Sequence, residues 1–207
     1  MKCFYCDFAA FSGQSKTARR YLSALEREAG LMPERTPSTL YIGGGTPSEL
    51  SCEEISLLFD SIGKAYPRSR FVETTFEGNP ESLDGGKLKL LRERGTTRLS
   101  IGLQTCDDAL LKSIGRRHSA DDFFRIYREA RAVGGMDLSV DLMYGLPGQS
   151  LESLLHTLDF VLALEPEHLS LYGLQVEDRT LFAKRGVEPD EDLGREMFEA
   201  ALERISP

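Results

Sequence analysis

Short apolar runs that close on glycine, proline or a polar residue alternate with amphipathic stretches through most of this 207-residue chain. Runs at Thr39–Gly43, Phe71–Glu77, Arg98–Gln104, Leu138–Tyr144 and Leu169–Gln175 read as strands. Between and around them, helices are expected at Ser15–Ala29, Glu53–Ala65, Gly86–Arg94, Asp107–Ile114, Ala120–Val133, Leu151–Leu164 and Asp190–Ile205. Ser51 followed by Glu54 is a capping-box pattern that opens the second helix. Phe123, Ile126, Tyr127 and Ala130 hold one face at helical spacing, as do Leu151, Leu154, Leu155, Leu158, Val161 and Leu162. Strands separated by helices join through crossovers, so the pattern predicts an α/β fold with a mostly parallel sheet.

The length suffices for one sizeable core, and one domain spanning residues 1–207 is expected. A net charge of −8 argues against a general nucleic-acid binder, whose footprint is basic. A local basic pocket for an anionic ligand stays open. No apolar run reaches the roughly 18 residues a membrane span needs, and Met1-Lys2-Cys3 leads into no signal-peptide core. A cytoplasmic protein without a membrane span is therefore expected. Four cysteines are too few for a disulfide scaffold, so Cys3-x-x-Cys6 reads as a metal or redox site. Cys52 and Cys106 read as small, partly buried residues near helix starts. No strand precedes Cys3 and no element follows the last helix, so both ends are expected to be cut.

In parallel βα folds, ligands gather beyond the carboxyl ends of the strands. Unusual residues fall there. The first strand runs into Gly43-Gly44-Gly45-Thr46-Pro47, whose glycines let the backbone approach a ligand closely. Glu77 closes the second strand and is placed to accept hydrogen bonds from a ribose or an amine; Gln104 closes the third. Asp141 lies within an otherwise apolar fourth strand, where a charge is costly without a partner. Arg116 and Arg117 are the expected partners of that carboxylate or of an anionic ligand. Tyr5, between the two cysteines, is suited to stack on an adenine or shield a cluster. Two cysteines cannot fill a structural zinc site, and Cys-Phe-Tyr-Cys does not open a helix after a strand as a thioredoxin-like dithiol would. His118 has no partner at ligand spacing and is not expected to bind a metal.

Cys3-x-Tyr5-Cys6, Gly43-Gly44-Gly45-Thr46-Pro47, Glu77-x-Asn79-Pro80, Arg98-x-Ser100-x-Gly102-x-Gln104, Gly115-Arg116-Arg117-His118 and Asp141-Leu-x-Tyr144-Gly145-Leu146-Pro147-Gly148 occur in this order. The series resembles the radical S-adenosylmethionine (SAM) proteins of haem metabolism: oxygen-independent coproporphyrinogen III oxidases and their HemW-type haem-chaperone relatives. The resemblance implies a partial (β/α)6 TIM-like barrel whose first strand would precede Met1 and whose C-terminal region would follow Pro207. It implies that Cys3 and Cys6 are two of three ligands to a [4Fe–4S] cluster, the first of the C-x3-C-x2-C motif falling before Met1. By the same resemblance Tyr5 lies by adenine, and Gly44, Gly45 and Thr46 meet the methionine end of SAM. Glu77, Gln104, Arg116 and Asp141 then contact SAM, with Gln175 near adenine; no catalytic residue is assigned. Asp7-Phe8 after Cys6 matches the chaperone group, where the oxidases carry Gly-Cys. The resemblance therefore implies a haem chaperone, with haem or a porphyrin and a haem-acceptor protein as partners of the complete protein. The alternatives are radical decarboxylation of coproporphyrinogen propionates, and a fragment unable to hold the cluster.

Overall fold

Five parallel strands lie side by side in the order of the sequence, curved into a half-barrel. The computed structural model describes residues 2–9, 15–31, 36–67 and 71–206; Met1 and Pro207, the ends of the expected domain, lie outside them. The strands are β1 (Thr39–Ile42), β2 (Glu73–Gly78), β3 (Arg98–Gln104), β4 (Asp137–Tyr144) and β5 (His168–Gly173). The helices are α1 (Ser15–Leu31), α2 (Cys52–Ala65), α3 (Gly85–Glu93), α4 (Asp108–Ser113), α5 (Ala120–Val133), α6 (Leu151–Leu162), α7 (Leu181–Lys184) and α8 (Glu191–Ile205).

Local chemistry sets the helix starts. Ser51 accepts from the Glu54 N–H while the Glu54 carboxylate accepts from the Ser51 N–H, and Ser119 and Asp122 repeat this capping box at α5. α5 ends on Gly134 at φ 69°, a conformation glycine adopts without strain. Among the described residues three short elements escape the sequence reading: 3-10 turns at Pro47–Glu49 and Pro80–Ser82, and the single turn α7. Each is too short to show periodicity. β5 ends two residues before the expected Gln175, because Leu174 turns into a small apolar cluster once its N–H has bonded the Tyr144 carbonyl.

Period-two alternation divides the sheet. Ile42, Phe76, Leu99, Ile101, Leu103, Leu138, Val140 and Leu142 face the helices and form the main core with Ile55, Phe59, Phe123 and Leu154. The intervening residues bond to one another on the concave side: Arg98 to Thr75 (3.2 Å) and Ser139 (3.4 Å), Ser139 to His168 (2.9 Å), Ser100 to Asp141 (2.9 Å). A smaller apolar cluster of Ile114, Met143, Leu146, Leu174 and Phe182, with Phe4 and Tyr5 against it, lies apart from that core.

Candidate ligand site at the strand ends

All strands being parallel, their carboxyl ends share one rim, and a cavity of about 1210 Å³ opens there. Cys3, Cys6 and Tyr5 line it from the N-terminal turn, and Gly44, Gly45 and Thr46 from the loop after β1. Glu77, Gln104, Arg116 and Asp141 complete its floor. Glu77 and Asp141 thus lie at the same end of the sheet, as expected. Gln175 does not line the cavity and is exposed, carried away by the early end of β5.

The glycine loop is built around Glu77. Tyr41 donates its hydroxyl to Glu77 Oε1 (2.7 Å) and the Gly44 N–H donates to Oε2 (3.3 Å). A Cβ at Gly43 would stand 2.8 Å from that carboxylate and from the Tyr41 ring, so any larger residue there must displace the Tyr41–Glu77 pair. Burial and the bond to Glu77 push the Tyr41 phenol up, so it stays a donor. From behind, Lys87 Nζ donates to the carbonyls of Ser48 (2.6 Å) and Ser82 (2.7 Å), pinning the 3-10 turns after β1 and β2 to each other.

Asp141 differs from expectation in its partners. The Ser100 hydroxyl donates to its carboxylate, at 3.0 Å and 2.9 Å to the two oxygens, with Ser170 as a second donor. Neither Arg116 nor Arg117 pairs with it. Burial raises its pKa above the usual carboxylate range; the serine bonds oppose this and the nearby Glu77 charge adds to it.

Arg116 turns instead toward Gly102 O (2.6 Å) and Cys3 Sγ (3.6 Å), and its buried Nε has no partner among the described residues. A Cβ at Gly102 would meet the guanidinium at 2.5 Å, so the close approach requires glycine. Gln104 is buried with φ 75°, a strained setting for a side chain, costing on the order of 1–3 kcal/mol. His118 braces it, Nε2 lying 3.2 Å from Leu103 O and Nδ1 3.3 Å from Glu81. Both ring nitrogens are thereby engaged within the protein. Arg117 pairs with Glu49 and lies 3.5 Å from Glu81, tying the loops after β1, β2 and β3 together.

Cys3 and Cys6 are free and half-buried, with the Cys6 N–H donating to Cys3 O (3.3 Å) to close the turn. Two thiols facing one cavity are soft donors of the kind iron–sulfur clusters take, and they supply part of such a ligand set. Among the described residues no group of three or more His, Cys, Asp or Glu is arranged to hold a metal ion. Cys106 is half-buried, its thiol pushed up to about 12 by burial, while Cys52 opens α2 exposed rather than partly buried. No helix among the described residues is long and apolar enough to cross a membrane. Tyr41, Lys87 and Phe4 were not singled out from sequence. Tyr41 alone left a signal, its alternation with Thr39 on β1 and Gly43 just after it.

A parallel half-barrel with two thiols, a glycine loop and carboxylates at one rim defines the class: a βα-barrel ligand-binding core. The chain belongs to the Radical SAM superfamily, whose family model matches residues 1–161. It is 40% identical over 213 residues to the heme chaperone HemW of Bacillus subtilis, covering 98% of this chain and 56% of that protein. The heme chaperone HemW of Escherichia coli is 35% identical over 204 residues, covering 96% of this chain and 54% of that protein. Among solved structures, the coproporphyrinogen III oxidase HemN of Escherichia coli, described as a radical SAM enzyme, superposes with a TM-score of 0.86 at 28% identity. That match covers 98% of this chain and 49% of the oxidase. The chain thus spans about half the length of the curated relatives it matches.

Proposed function

We propose that this chain is the radical SAM core of a haem chaperone, with residues 1–207 forming part of one domain. The observation that carries the reading is the convergence of the cysteine turn, the glycine loop, Glu77, Gln104, Arg116 and Asp141 on one cavity. Cys3 and Cys6 hold two irons of a [4Fe–4S] cluster. When bound, the cluster supplies an electron to the sulfonium of SAM. Gly44, Gly45 and Thr46 offer backbone groups to the methionine end of SAM. Tyr5 packs beside its adenine, with Gln175 reaching that end only if the segment after β5 moves. Glu77 and Asp141 accept from its hydroxyl and amino groups. Arg116 keeps Nε for an anionic acceptor and places a positive charge beside Cys3. The protein works in the cytoplasm, where thiols stay reduced.

Identity to two HemW proteins and the Asp7-Phe8 pair after Cys6 support the chaperone over the oxidase. Haem and a haem-acceptor protein are then the partners of the full-length parent. The test uses that parent, reconstituted anaerobically and titrated with haem while its Soret band is followed. A saturable haem spectrum is expected, without loss of carboxyl groups from coproporphyrinogen. Decarboxylation without haem binding would make it an oxidase instead, a reading favoured by the superposition on HemN. The 207-residue chain itself should retain well under four irons per chain after reconstitution, since only two thiols line the cavity. A stoichiometric four-iron cluster in it would show that another group completes the ligand set.

A further inference from the structure

We propose that Phe4 is the anchor that sets the cysteine turn and that α7, the single helical turn after β5, is its socket. Phe4, Phe182 and Arg185 are then positioning residues for the two thiols. The importance of this arrangement rests on reading Cys3 and Cys6 as cluster ligands; its geometry does not.

Phe4 is held through its backbone and its ring. Its N–H donates to Ile114 O at the end of α4 (3.0 Å), and its carbonyl accepts from the Phe182 N–H (3.0 Å). The ring meets Phe182 edge-on at 6.3 Å, and the Arg185 guanidinium lies 4.6 Å from its centroid on one face. Gly115 makes room for it: a Cβ there would come within 2.7 Å of the ring, and φ at Gly115 is +80°. The adjacent Arg116 reaches Cys3 Sγ, so the turn that receives Phe4 also delivers the guanidinium beside the thiol.

The cysteines themselves make few bonds: the Cys6 N–H to Cys3 O, the guanidinium contact at Cys3 and the side-chain bond between Tyr5 and Cys3. Phe4 instead ties the turn by its backbone to two other elements, the end of α4 and the start of α7. Ordering a residue's backbone costs conformational entropy, and a metal site that is not ordered beforehand bears that cost on binding. The socket belongs to the small apolar cluster of Ile114, Met143, Leu146, Leu174 and Phe182, separate from the core that joins sheet to helices. Thr180 caps α7 and the Val187 N–H returns to Phe182 O (3.1 Å), so the socket closes on itself. Loosening it should free the thiols and leave the barrel folded.

The test needs neither cluster nor SAM. Each cysteine of the reduced 207-residue chain is alkylated with iodoacetamide at fixed pH, and the rates are read peptide by peptide. Cys52, exposed on α2, is the internal reference. Phe182→Ala should make Cys3 and Cys6 react roughly tenfold faster, with Cys52 unchanged, as local opening becomes easier. Arg185→Ala should give a smaller rise of about twofold to threefold, and Arg185→Lys, which keeps a cation over the ring, should restore the wild-type rate. Wild-type rates for Cys3 and Cys6 in Phe182→Ala, with cooperative unfolding intact, would overturn the proposal. Should Phe182→Ala not fold, the exposed Arg185 pair decides: equal rates in the Ala and Lys variants overturn it. Absence of iron from the reconstituted parent would count against the cluster reading and leave this result standing.

Discussion

The two faces of one sheet do opposite work. On the helix side, Phe76, Leu99, Ile101, Leu138, Val140 and Leu142 are wholly shielded from solvent. On the concave side the same strands bond Arg98 to Ser139 and Ser100 to Asp141, and Glu77, Ser100 and Asp141 line the cavity at their carboxyl ends. The helix face stabilises the fold by removing apolar surface from water. The concave face gains little that way and holds polar groups at fixed positions. Stability and ligand chemistry are therefore separable within a single strand, where Phe76 and Glu77 are neighbours facing opposite ways.

The largest expected effect breaks the helix side. Phe76 stacks on Phe59 at 6.5 Å between centroids and is wholly buried. Phe76→Ala should destabilise the chain by about 3–5 kcal/mol through lost transfer energy and the cavity left behind. A denaturant midpoint unchanged from wild type would mean this face does not carry the fold. Such a loss would abolish ligand binding only as a consequence of unfolding, and so cannot by itself locate a site.

This division explains what was legible in the sequence. The observed boundaries of β3 and α5 match the expected ones because Arg98–Gln104 alternates cleanly and Phe123, Ile126, Tyr127 and Ala130 hold one face at helical spacing. That Glu77, Gln104 and Asp141 line one cavity with the glycine loop was legible because parallel topology fixes which strand ends share a rim. Contacts between residues remote in sequence left no pattern. Asp141 was expected to find an arginine and finds serine hydroxyls, since a list of charges does not show which groups share the concave face. The left-handed Gln104 and the Phe4 socket depend on Leu103 meeting His118 and on Phe4 meeting Phe182, pairings that no local periodicity encodes.

The second effect sharpens the comparison at the rim. Burial alone would raise the pKa of Glu81, but the bond to His118, a bond from its own backbone N–H and the nearby Arg116 and His118 charges outweigh it, leaving a value of about 2. A folded-state pKa below the unfolded one gives stability that is present above the unfolded value. It is lost as pH falls from about 4.5 toward about 2. The size is on the order of 2–3 kcal/mol. Glu81→Gln should lower stability at pH 6 by roughly that amount and by little near pH 2, measured by urea unfolding across the series. A gap between the two proteins that is constant with pH would show that the brace is not electrostatic.

The smallest expected effect on stability, and the most telling for function, is at Asp141. Its shift has the opposite sign to that of Glu81: burial dominates, the serine bonds only partly offset it, and Glu77 adds repulsion. A carboxyl whose folded-state pKa is raised binds its proton more readily folded than unfolded. Its cost is full above the folded pKa and fades as pH falls through that value toward the ordinary carboxylate range. At neutral pH, Asp141→Asn should therefore leave stability within about 1 kcal/mol of wild type, on the stabilising side, because a neutral amide replaces a poorly solvated charge. That small gain should shrink in acid, where wild-type Asp141 is itself neutral. In the reconstituted parent, the same substitution should weaken SAM binding by roughly tenfold or more, as expected when a ligand loses a charged acceptor. Calorimetric titration with SAM beside urea unfolding separates the two readouts. A clear loss of stability with SAM affinity unchanged would make Asp141 part of the scaffold and remove it from the proposed site.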